Sequence, residues 1–184
     1  MKTENKKYAM VIDTKLCVGC GACVAACKTE NNVPDGRSRV WVAEEVSGTF
    51  PDISMEIRSE RCNHCSSAPC VDSCPTGASH YKKGTVNLVM VNENRCTGCK
   101  ACMAACPYDA RFTVPEGYVS KCTFCSHRIE KGDSPACMAV CPAKAIHFGD
   151  INNRESDVSR LLRSRKSKTL LPENGTEPNV YYLV

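Results

Sequence analysis

Apolar residues are concentrated in a few short segments of this chain, separated by turn-forming and polar residues. Four of these segments are strand candidates: residues 8–13 (YAMVID), 39–45 (RVWVAEE), 53–60 (ISMEIRSE) and 84–91 (GTVNLVMV). They are short, and the first alternates weakly between apolar and polar positions, as in a half-buried strand. Residues 156–168 instead space their apolar side chains at helical intervals, which predicts one short amphipathic helix.

The segments between these elements are rich in breakers. Residues 28–60 form a spacer interrupted by Pro34, Gly36, Gly48 and Pro51, and they contain two of the strand candidates. Residues 126–136 are predicted to form a helical turn and a loop. The closing stretch 170–184 (LLPENGTEPNVYYLV) has too many breakers and too little apolar surface to fold alone. We therefore expect it to lie against this chain or against a partner.

The supply of apolar side chains is small for 184 residues. Hydrophobic residues make up 42% of the chain, but this share includes sixteen cysteines; without them it falls to roughly a third. Something other than apolar burial must therefore help to stabilise the fold. No run of about twenty apolar residues is present, so we expect no membrane span. The residues at the start of the chain lack the apolar run of a secretory signal, so we expect no export signal here.

The cysteines fall into four groups of four, with none left over. The first and third groups share the spacing C-x2-C-x2-C-x3-C, the second has C-x2-C-x4-C-x3-C, and the fourth has C-x2-C-x11-C-x3-C. In chain order the groups are Cys17, Cys20, Cys23 and Cys27; Cys62, Cys65, Cys70 and Cys74; Cys96, Cys99, Cys102 and Cys106; and Cys122, Cys125, Cys137 and Cys141.

Two of the groups form an internal repeat. Residues 17–27 (CVGCGACVAAC) and 96–106 (CTGCKACMAAC) match at eight of eleven positions. The second and fourth groups share a common ending, CPTGASHY against CPAKAIHF. Duplication of a small metal-binding unit is the simplest origin of this pattern.

Three chemistries use cysteines in such numbers, and the spacing separates them. Disulfides stabilise mainly by closing long loops, and cysteines this close together close almost none. A zinc site needs two facing C-x2-C pairs and has no place for a third cysteine three residues later. The run C-x2-C-x2-C-x3-C-P binds iron–sulfur clusters, and its fourth cysteine ligates the other cluster of a pair. The pattern therefore favours iron–sulfur clusters.

Bound clusters would change the charge of the chain. The formal net charge is +4 with every cysteine neutral. Four all-thiolate [4Fe–4S] clusters, each about −2 when oxidised, would make it roughly −4, so a basic nucleic-acid surface is not indicated. Four cations lie just before the cysteine groups, where they either offset cluster charge or are simply solvated: Lys15, Arg61, Arg95 and Lys121.

No other candidate chemistry stands out in the sequence. The chain shows no Ser-His-Asp set, no P-loop and no dinucleotide-binding glycine pattern. The histidines lie where packing explains them or where four thiolates already suffice as ligands, so none is assigned chemistry. They are His64, His80, His127 and His147.

Five motifs give the chain a recognisable resemblance over nearly its whole length. They are CVGCGACVAACKTENNVP (17–34), CNHCSSAPCVDSCPTGAS (62–79), CPYDAR (106–111), YVSKCTFCSHRIEKGDSPAC (118–137) and GTEPNVYYL (175–183). With these motifs the chain resembles the four-cluster iron–sulfur subunits of molybdopterin oxidoreductases, closest to the polysulfide and thiosulfate reductase type. Subunits of dimethyl-sulfoxide, tetrathionate and arsenate reductases are more distant relatives.

The resemblance implies an α+β fold of two ferredoxin-like dicluster modules, one inserted in the other. Residues 1–54 and 113–150 would form the outer module, residues 55–112 the inner module, and residues 151–184 a C-terminal extension that docks on a partner. It also implies four ligand sets, which we call sets 1 to 4. They are set 1, Cys17, Cys20, Cys23 and Cys141; set 2, Cys27, Cys122, Cys125 and Cys137; set 3, Cys62, Cys65, Cys70 and Cys106; and set 4, Cys74, Cys96, Cys99 and Cys102.

Partners and location also follow from the resemblance. Such subunits pair with a large molybdopterin catalytic chain and usually with a quinone-handling membrane subunit. They relay electrons between the two in anaerobic respiration. Export together with the catalytic chain would put the protein on the periplasmic face of the membrane; a cytoplasmic complex is the alternative.

Two other functions are alternatives to this role. A free-standing soluble polyferredoxin would carry the same clusters, but it would need neither the 28–60 spacer nor the tail. An iron–sulfur enzyme that binds substrate at a cluster would leave one iron without a cysteine. Here every iron of four clusters has a cysteine, so we expect no catalysis by this chain on its own.

Overall fold

The computed structural model describes residues 6–184 as a mixed α/β fold of short elements. Its strands are β1 Tyr8–Asp13, β2 Val40–Thr49, β3 Asp52–Arg61, β4 Ser79–Tyr81, β5 Val89–Val91, β6 Phe112–Thr113, β7 Val119–Ser120, β8 Ile146–Asp150, β9 Ser167–Lys168 and β10 Val180–Leu183. Its α-helices are α1 Ala22–Glu30, α2 Pro69–Asp72, α3 Ala101–Ala104, α4 Ser126–Ile129, α5 Ala136–Ala139 and α6 Asp157–Ser164. Two 3-10 helices, Glu93–Arg95 and Pro172–Asn174, complete the elements described.

The largest sheet brings distant parts of the chain together in the order β8-β1-β10-β9. Strand β1 pairs antiparallel with β8 and parallel with β10, so Met10 lies between Phe148 and Val180. The predicted strand at residues 8–13 is therefore confirmed. The closing stretch lies against this chain, because β10 occupies an interior position of the sheet and Tyr182 is fully buried.

Helix α6 covers one face of this sheet and confirms the predicted amphipathic helix. It ends at Ser164, however, and Ser167–Lys168, within the predicted range 156–168, form strand β9. Val158 is fully buried and packs in a cluster with Val11 and Leu183, which are also fully buried. The helix begins after Ser156, whose hydroxyl accepts a hydrogen bond from the Ser159 amide at 3.3 Å. This N-cap satisfies one of the amides that a helix start leaves without a partner.

Three further sheets have two strands each. The candidates at 39–45 and 53–60 are confirmed as the paired strands β2 and β3, which form a hairpin whose distal half is exposed. The candidate at 84–91 is wrong over its first half, because only β5 forms there and pairs with β4. In the first half, the side chain of Asn87 binds both the backbone N–H and the carbonyl of Tyr8, at 3.0 and 2.6 Å. Besides this contact, the same segment forms an isolated parallel bridge between Thr85 and Lys6.

The predicted module boundaries lie inside strands rather than in linkers. The boundary at residues 54–55 lies within β3, and the boundary at 112–113 divides β6. Modules divided at these positions would share strands β3 and β6, and the nested arrangement stays a prediction. Within residues 6–184, no helix is both long enough and apolar enough to cross a membrane.

Candidate metal centres

The cysteine groups share one local construction, a loop followed by a short helix. In the first group, Gly21 has a left-handed backbone (φ 74°) and helix α1 begins at the next residue, so that Cys23 and Cys27 are buried on the helix. In the third group, Lys100 takes the same conformation (φ 63°) before α3, which carries Cys102. All sixteen cysteines of the chain are free thiols.

Sets 1 and 4 each line a single small cavity. The four cysteines of set 1 line one shared cavity, and Cys141 reaches it from the end of the fourth group. The four cysteines of set 4 line a second shared cavity, which Cys74 enters from the second group. Each cavity is also open to solvent at one cysteine, because Cys20 and Cys99 are exposed. The structure thus brings both sets together across the groups.

The cysteines of set 2 lie in the interior. Burial raises the pKa of Cys27 to about 12, and the neighbouring thiols of Cys137 and Cys125 act in the same direction. Burial likewise raises the pKa of Cys122, with Cys27 and Cys137 among the thiols that add to it. The side-chain nitrogen Nδ2 of Asn31 lies 3.6 Å from the Sγ of Cys27 and 4.0 Å from the Sγ of Cys125. Cys27 is therefore next to the fourth group rather than to its own loop.

Set 3 is buried beside set 2. Burial raises the pKa of Cys65 to about 12, and the thiols of Cys62, Cys70 and Cys106 act in the same direction. Cys62 also contributes to the raised pKa of Cys122, so the two interior sets are neighbours. Because iron binds the thiolate and not the thiol, loading these sets would release protons.

The surroundings of the thiols fit iron–sulfur clusters. Among the described residues, no three His, Cys, Asp or Glu side chains are close enough to hold a single metal ion. A cluster instead spreads its cysteines over several irons. Next to these thiols, Arg61 Nε, Arg111 Nε and Arg111 Nη1 are buried and have no hydrogen-bond partner. A buried guanidinium N–H without an acceptor is costly, and the sulfurs of a bound cluster are suitable acceptors.

Two of the four cations singled out in the sequence are buried among the thiols. Arg61 donates from Nη1 to the Sγ of Cys137 at 3.0 Å, and Lys121 donates from Nζ to the carbonyl of Cys122 at 2.7 Å. Lys15 and Arg95, by contrast, are exposed, as surface solvation predicts.

A third buried cation, Arg111, was not predicted as a functional residue. Its Nη2 donates to the Sγ of Cys70 at 2.8 Å and to the Oγ of Ser79 at 3.0 Å. The signal that was available is its position at the end of the CPYDAR motif, five residues after Cys106.

His64, to which no chemistry was assigned, lies within the second cysteine group and packs against the fourth. Its ring stacks on Phe124 with centroids 3.9 Å apart, and its Nδ1 accepts a hydrogen bond from the Val89 amide at 3.1 Å. The two rings hold equivalent places, each just before the second cysteine of a C-x2-C pair. Burial, with the nearby charges of Lys121 and Arg111, holds the pKa of His64 well below its ordinary value.

Comparison with known families decides what these thiols are for. The 4Fe-4S dicluster domain matches this chain twice, over residues 16–78 and over residues 53–151. The chain belongs to the 4Fe–4S dicluster family. The two matches overlap in residues 53–78, within which the second cysteine group lies.

Several characterised relatives cover almost the whole chain. Protein NrfC of Escherichia coli K12 is 42% identical over an alignment of 184 positions, which covers 98% of this chain and 82% of that protein. The arsenate respiratory reductase iron-sulfur subunit ArrB of Shewanella sp. ANA-3 is 38% identical, with 96% of each chain covered. A polysulfide reductase chain from Wolinella succinogenes is 40% identical, with 96% of this chain and 93% of that protein covered.

The family and its relatives confirm the class of function inferred from the cysteines. The chain is an iron–sulfur electron-transfer protein and not a catalytic chain. The resemblance to polysulfide and arsenate reductase subunits is also confirmed. The number of clusters and the ligand of each iron stay predictions.

Proposed function

We propose that this chain holds four [4Fe–4S] clusters in sets 1 to 4 and acts as the electron-transfer subunit of a respiratory reductase of the polysulfide or thiosulfate type. Arsenate, tetrathionate and dimethyl-sulfoxide reductases are the alternative complexes. The observation that carries the proposal is the crosswise grouping of the thiols, since each set combines cysteines from two of the sequence groups. Dicluster modules of the ferredoxin type exchange ligands in this way.

The chain's own residues would hold the clusters, exclude water from the interior and leave two ends accessible. When bound, each cluster would accept and release one electron. Nine of the sixteen cysteines are buried, among them seven of the eight in sets 2 and 3. Cys20 in set 1 and Cys99 in set 4 are exposed. These two loops are the places where a partner's redox group can approach closely, so sets 1 and 4 are the proposed ends of the relay.

A molybdopterin catalytic subunit is the proposed partner at set 1. The β2–β3 hairpin packs beside this set, because a Cβ built on Gly19 would lie only 3.2 Å from Ile57. Beyond that contact the hairpin exposes Val46, Phe50 and Ile53, of which Phe50 is 88% exposed. Exposed apolar side chains grouped next to a functional site are typical of a protein interface.

A quinone-handling membrane subunit is the proposed partner at set 4. The complex would be membrane-associated, with this chain on the periplasmic side. Relatives named as parts of an arsenate respiratory reductase and a polysulfide reductase support a role in a reductase complex of several subunits.

The ligand sets are tested by a pair of matched substitutions. The reconstituted protein should contain about sixteen irons, four for each set of four cysteines. Cys27→Ala should damage the set 2 cluster, and Cys106→Ala should damage the set 3 cluster, because each residue ligates outside its own sequence group. Electron paramagnetic resonance at controlled potential reports which cluster changes. Damage to set 1 by Cys27→Ala, or to set 4 by Cys106→Ala, would show that the fourth cysteine stays with its own loop.

The partner surface is tested in the native host. An affinity-tagged chain should bring a large catalytic chain with it, and Phe50→Asp together with Ile53→Asp should abolish that association while the cluster spectra remain unchanged. Val86→Asp is the matched control, since Val86 is 42% exposed outside the hairpin. A chain that is isolated alone from native cells, with its clusters intact, would instead indicate a free polyferredoxin.

A further inference from the structure

Three long cationic side chains lie in the interior of this small protein, where such groups are rare. Arg61 is 1% exposed, Lys121 is 2% exposed and Arg111 is 3% exposed. Burial of an unpaired charge is strongly unfavourable, so each of these cations needs nearby negative charge. Arg61 and Arg111 each donate a hydrogen bond to a cysteine sulfur, and Lys121 donates to the carbonyl of a cysteine. We call these three residues the junction cations, for the positions described next.

Arg61 lies at the junction between set 1 and set 2. Its guanidinium donates to the Sγ of Cys137, which belongs to set 2, at 3.0 Å. It also donates to the hydroxyl of Ser59, and that hydroxyl lies 3.3 Å from the Sγ of Cys23, which belongs to set 1. Arg61 therefore reaches one set directly and the other through a single hydroxyl.

Arg111 holds the corresponding position between set 3 and set 4. It donates to the Sγ of Cys70, in set 3, at 2.8 Å. It also donates to the hydroxyl of Ser79 at 3.0 Å, and the backbone N–H of Ser79 donates to the Sγ of Cys74, in set 4, at 3.3 Å. Its Nε and Nη1 are buried without a partner, so two further donors are available to a cluster.

Lys121 lies between the two interior sets. Its Nζ donates to the carbonyl of Cys122, in set 2, and to the carbonyl of Val89. Val89 belongs to the buried cluster that contains Cys65 and Cys70, both in set 3. One cation thus lies at each of the three junctions along the series of sets.

We propose that Arg61, Lys121 and Arg111 each raise the reduction potentials of the two clusters on either side of them, so that adjacent clusters can both be reduced. The proposal rests on the four-cluster function proposed above. Reduction adds one electron to a cluster and makes it more negative, and no bond is formed or broken. Two adjacent reduced clusters in a low-dielectric interior repel each other. A buried cation between them stabilises both reduced forms, and hydrogen bonds to sulfur act in the same direction.

The proposal predicts a pairwise pattern in a redox titration of the reconstituted protein. Dithionite supplies the electrons through mediators, and paramagnetic resonance follows each cluster, with signals assigned by Cys20→Ser for set 1 and Cys99→Ser for set 4. In Arg61→Gln, at a fixed applied potential, the ratio of reduced to oxidised cluster should fall about tenfold in sets 1 and 2. This fall corresponds to a decrease of about 59 mV in the reduction potential of a one-electron couple. The reduction potential of set 4 should not change. Arg111→Gln should lower the reduction potentials of the clusters in sets 3 and 4 and leave that of set 1 unchanged.

Charge-preserving variants separate tuning from support of the structure. Arg61→Lys and Lys121→Arg should leave the reduction potentials of the neighbouring clusters close to those of the unmodified protein. Lys121→Met, which is similar in shape but neutral, should lower the reduction potentials of the clusters in sets 2 and 3. If one neutral variant fails to assemble its clusters, the other two still test the pairwise pattern. Equal shifts in all four clusters, or none, would overturn the proposal. So would loss of clusters in all three neutral variants with full assembly in the charged ones, since the cations would then act in assembly. Failure of the unmodified protein to take up four clusters would instead refute the underlying function.

Discussion

Two regions of this molecule are stabilised by different kinds of core. In the four-stranded sheet, the residues from Ala9 to Ile12 are fully buried and pack with the equally buried Val180, Tyr182 and Leu183. In the region that contains the second and third cysteine groups, half of the main buried cluster consists of cysteines: Cys65, Cys70 and Cys102, beside Ala68, Val89 and Val119. Towards helix α6 the first core is entirely apolar, with Val11, Val158 and Leu183. On the other face of the sheet, Met10, Ile12 and Tyr182 share a cluster with five buried cysteines. The second core depends more heavily on what the thiols bind.

The difference shows how a chain with few apolar residues can still fold. Hydrophobic burial is concentrated in the sheet that joins the first strand, the last strand and β8. Elsewhere, metal binding would replace it, because the free energy of binding a structural metal adds to that of folding. The apolar-cored region and the cysteine-cored region should therefore respond differently to loss of iron.

Removal of iron should have the largest effect and should act unequally on the two regions. Under anaerobic chelation, residues 62–106 should lose hydrogen-exchange protection first, and β1 and β10 should lose it last. The physical reason is that the eight uncoordinated thiols of this segment contribute little burial, whereas the sheet keeps its apolar contacts. Exchange followed by mass spectrometry gives the order directly.

The control for this experiment is the same protein treated with iron-saturated chelator, which should keep its protection throughout. Simultaneous loss in both regions would show that the sheet also depends on the clusters. If β1 lost its hydrogen-exchange protection before the residues around Cys65, the apolar-cored region would be the one that depends more on iron, contrary to the comparison between the two cores.

The sequence predicted the cysteine-cored region better than it predicted the apolar-cored one. Ligand spacing is a local property, so the four groups could be found without knowledge of the fold. The interior position of β10 in the sheet could not be found in this way, because the pairing of Tyr182 with Ile12 joins residues at opposite ends of the chain. In the sequence this strand is four residues long and lies among breakers.

The buried cations show the same limit. Arg61 and Lys121 stand out in the sequence because each directly precedes a cysteine group, yet sequence alone did not distinguish burial from solvation. Arg111 was missed because its partners, Cys70 and Ser79, belong to another part of the chain. Residues that act on a distant group leave no signal in local spacing.

Truncation of Tyr182 should be the most damaging single change in the apolar core. Tyr182→Ala removes a fully buried ring, and large-to-small changes of this kind cost about 3–5 kcal/mol. The apparent midpoint of thermal unfolding should fall by roughly 6–20 °C. Tyr182→Phe keeps the ring and loses only a long hydrogen bond to the Ser59 carbonyl (3.5 Å), so its effect should be about 1 kcal/mol or less.

Cluster content provides the complementary measurement on these variants. Iron bound per chain should be nearly normal in Tyr182→Ala at low temperature, because no ligand has been changed. If the alanine variant lost the clusters of sets 3 and 4 while its sheet stayed protected, the two regions would not be separable in the way described.

The ion pair between Arg165 and Asp13 should contribute a smaller amount to the sheet. Asp13 is 2% exposed, and its carboxylate accepts a hydrogen bond from the guanidinium of Arg165. Burial acts to raise the pKa of Asp13, but the hydrogen bond and charge of Arg165 outweigh it and hold that pKa below its ordinary value. Arg165→Leu leaves the carboxylate buried without its partner, which should cost about 1–3 kcal/mol.

The pH dependence of this effect follows from the sign of the shift. A carboxyl group with a lowered folded-state pKa contributes stability above its unfolded pKa and loses it as pH falls through the folded one. Between about pH 6 and 8 the difference between Arg165→Leu and the unmodified protein should therefore be constant. A difference that disappeared within this range would indicate that another group, and not Asp13, titrates. Asp13→Asn, which removes the charge that needs a partner, should cost less than Arg165→Leu.

The smallest predicted effect compares the duplicated loops themselves. Gly21 and Lys100 occupy equivalent positions and both have a left-handed backbone, with φ 74° and 63°. A residue with a Cβ is strained by about 1 kcal/mol in this conformation, whereas glycine is not. Lys100→Gly should therefore raise the midpoint of thermal unfolding by roughly 1–3 °C, and Gly21→Lys should lower it by a similar amount. No atom lies within 4 Å of a Cβ built on Gly21, so backbone strain alone would act there. If the midpoint of thermal unfolding fell equally in both variants, the Lys100 side chain would contribute a stabilising contact that offsets its backbone strain.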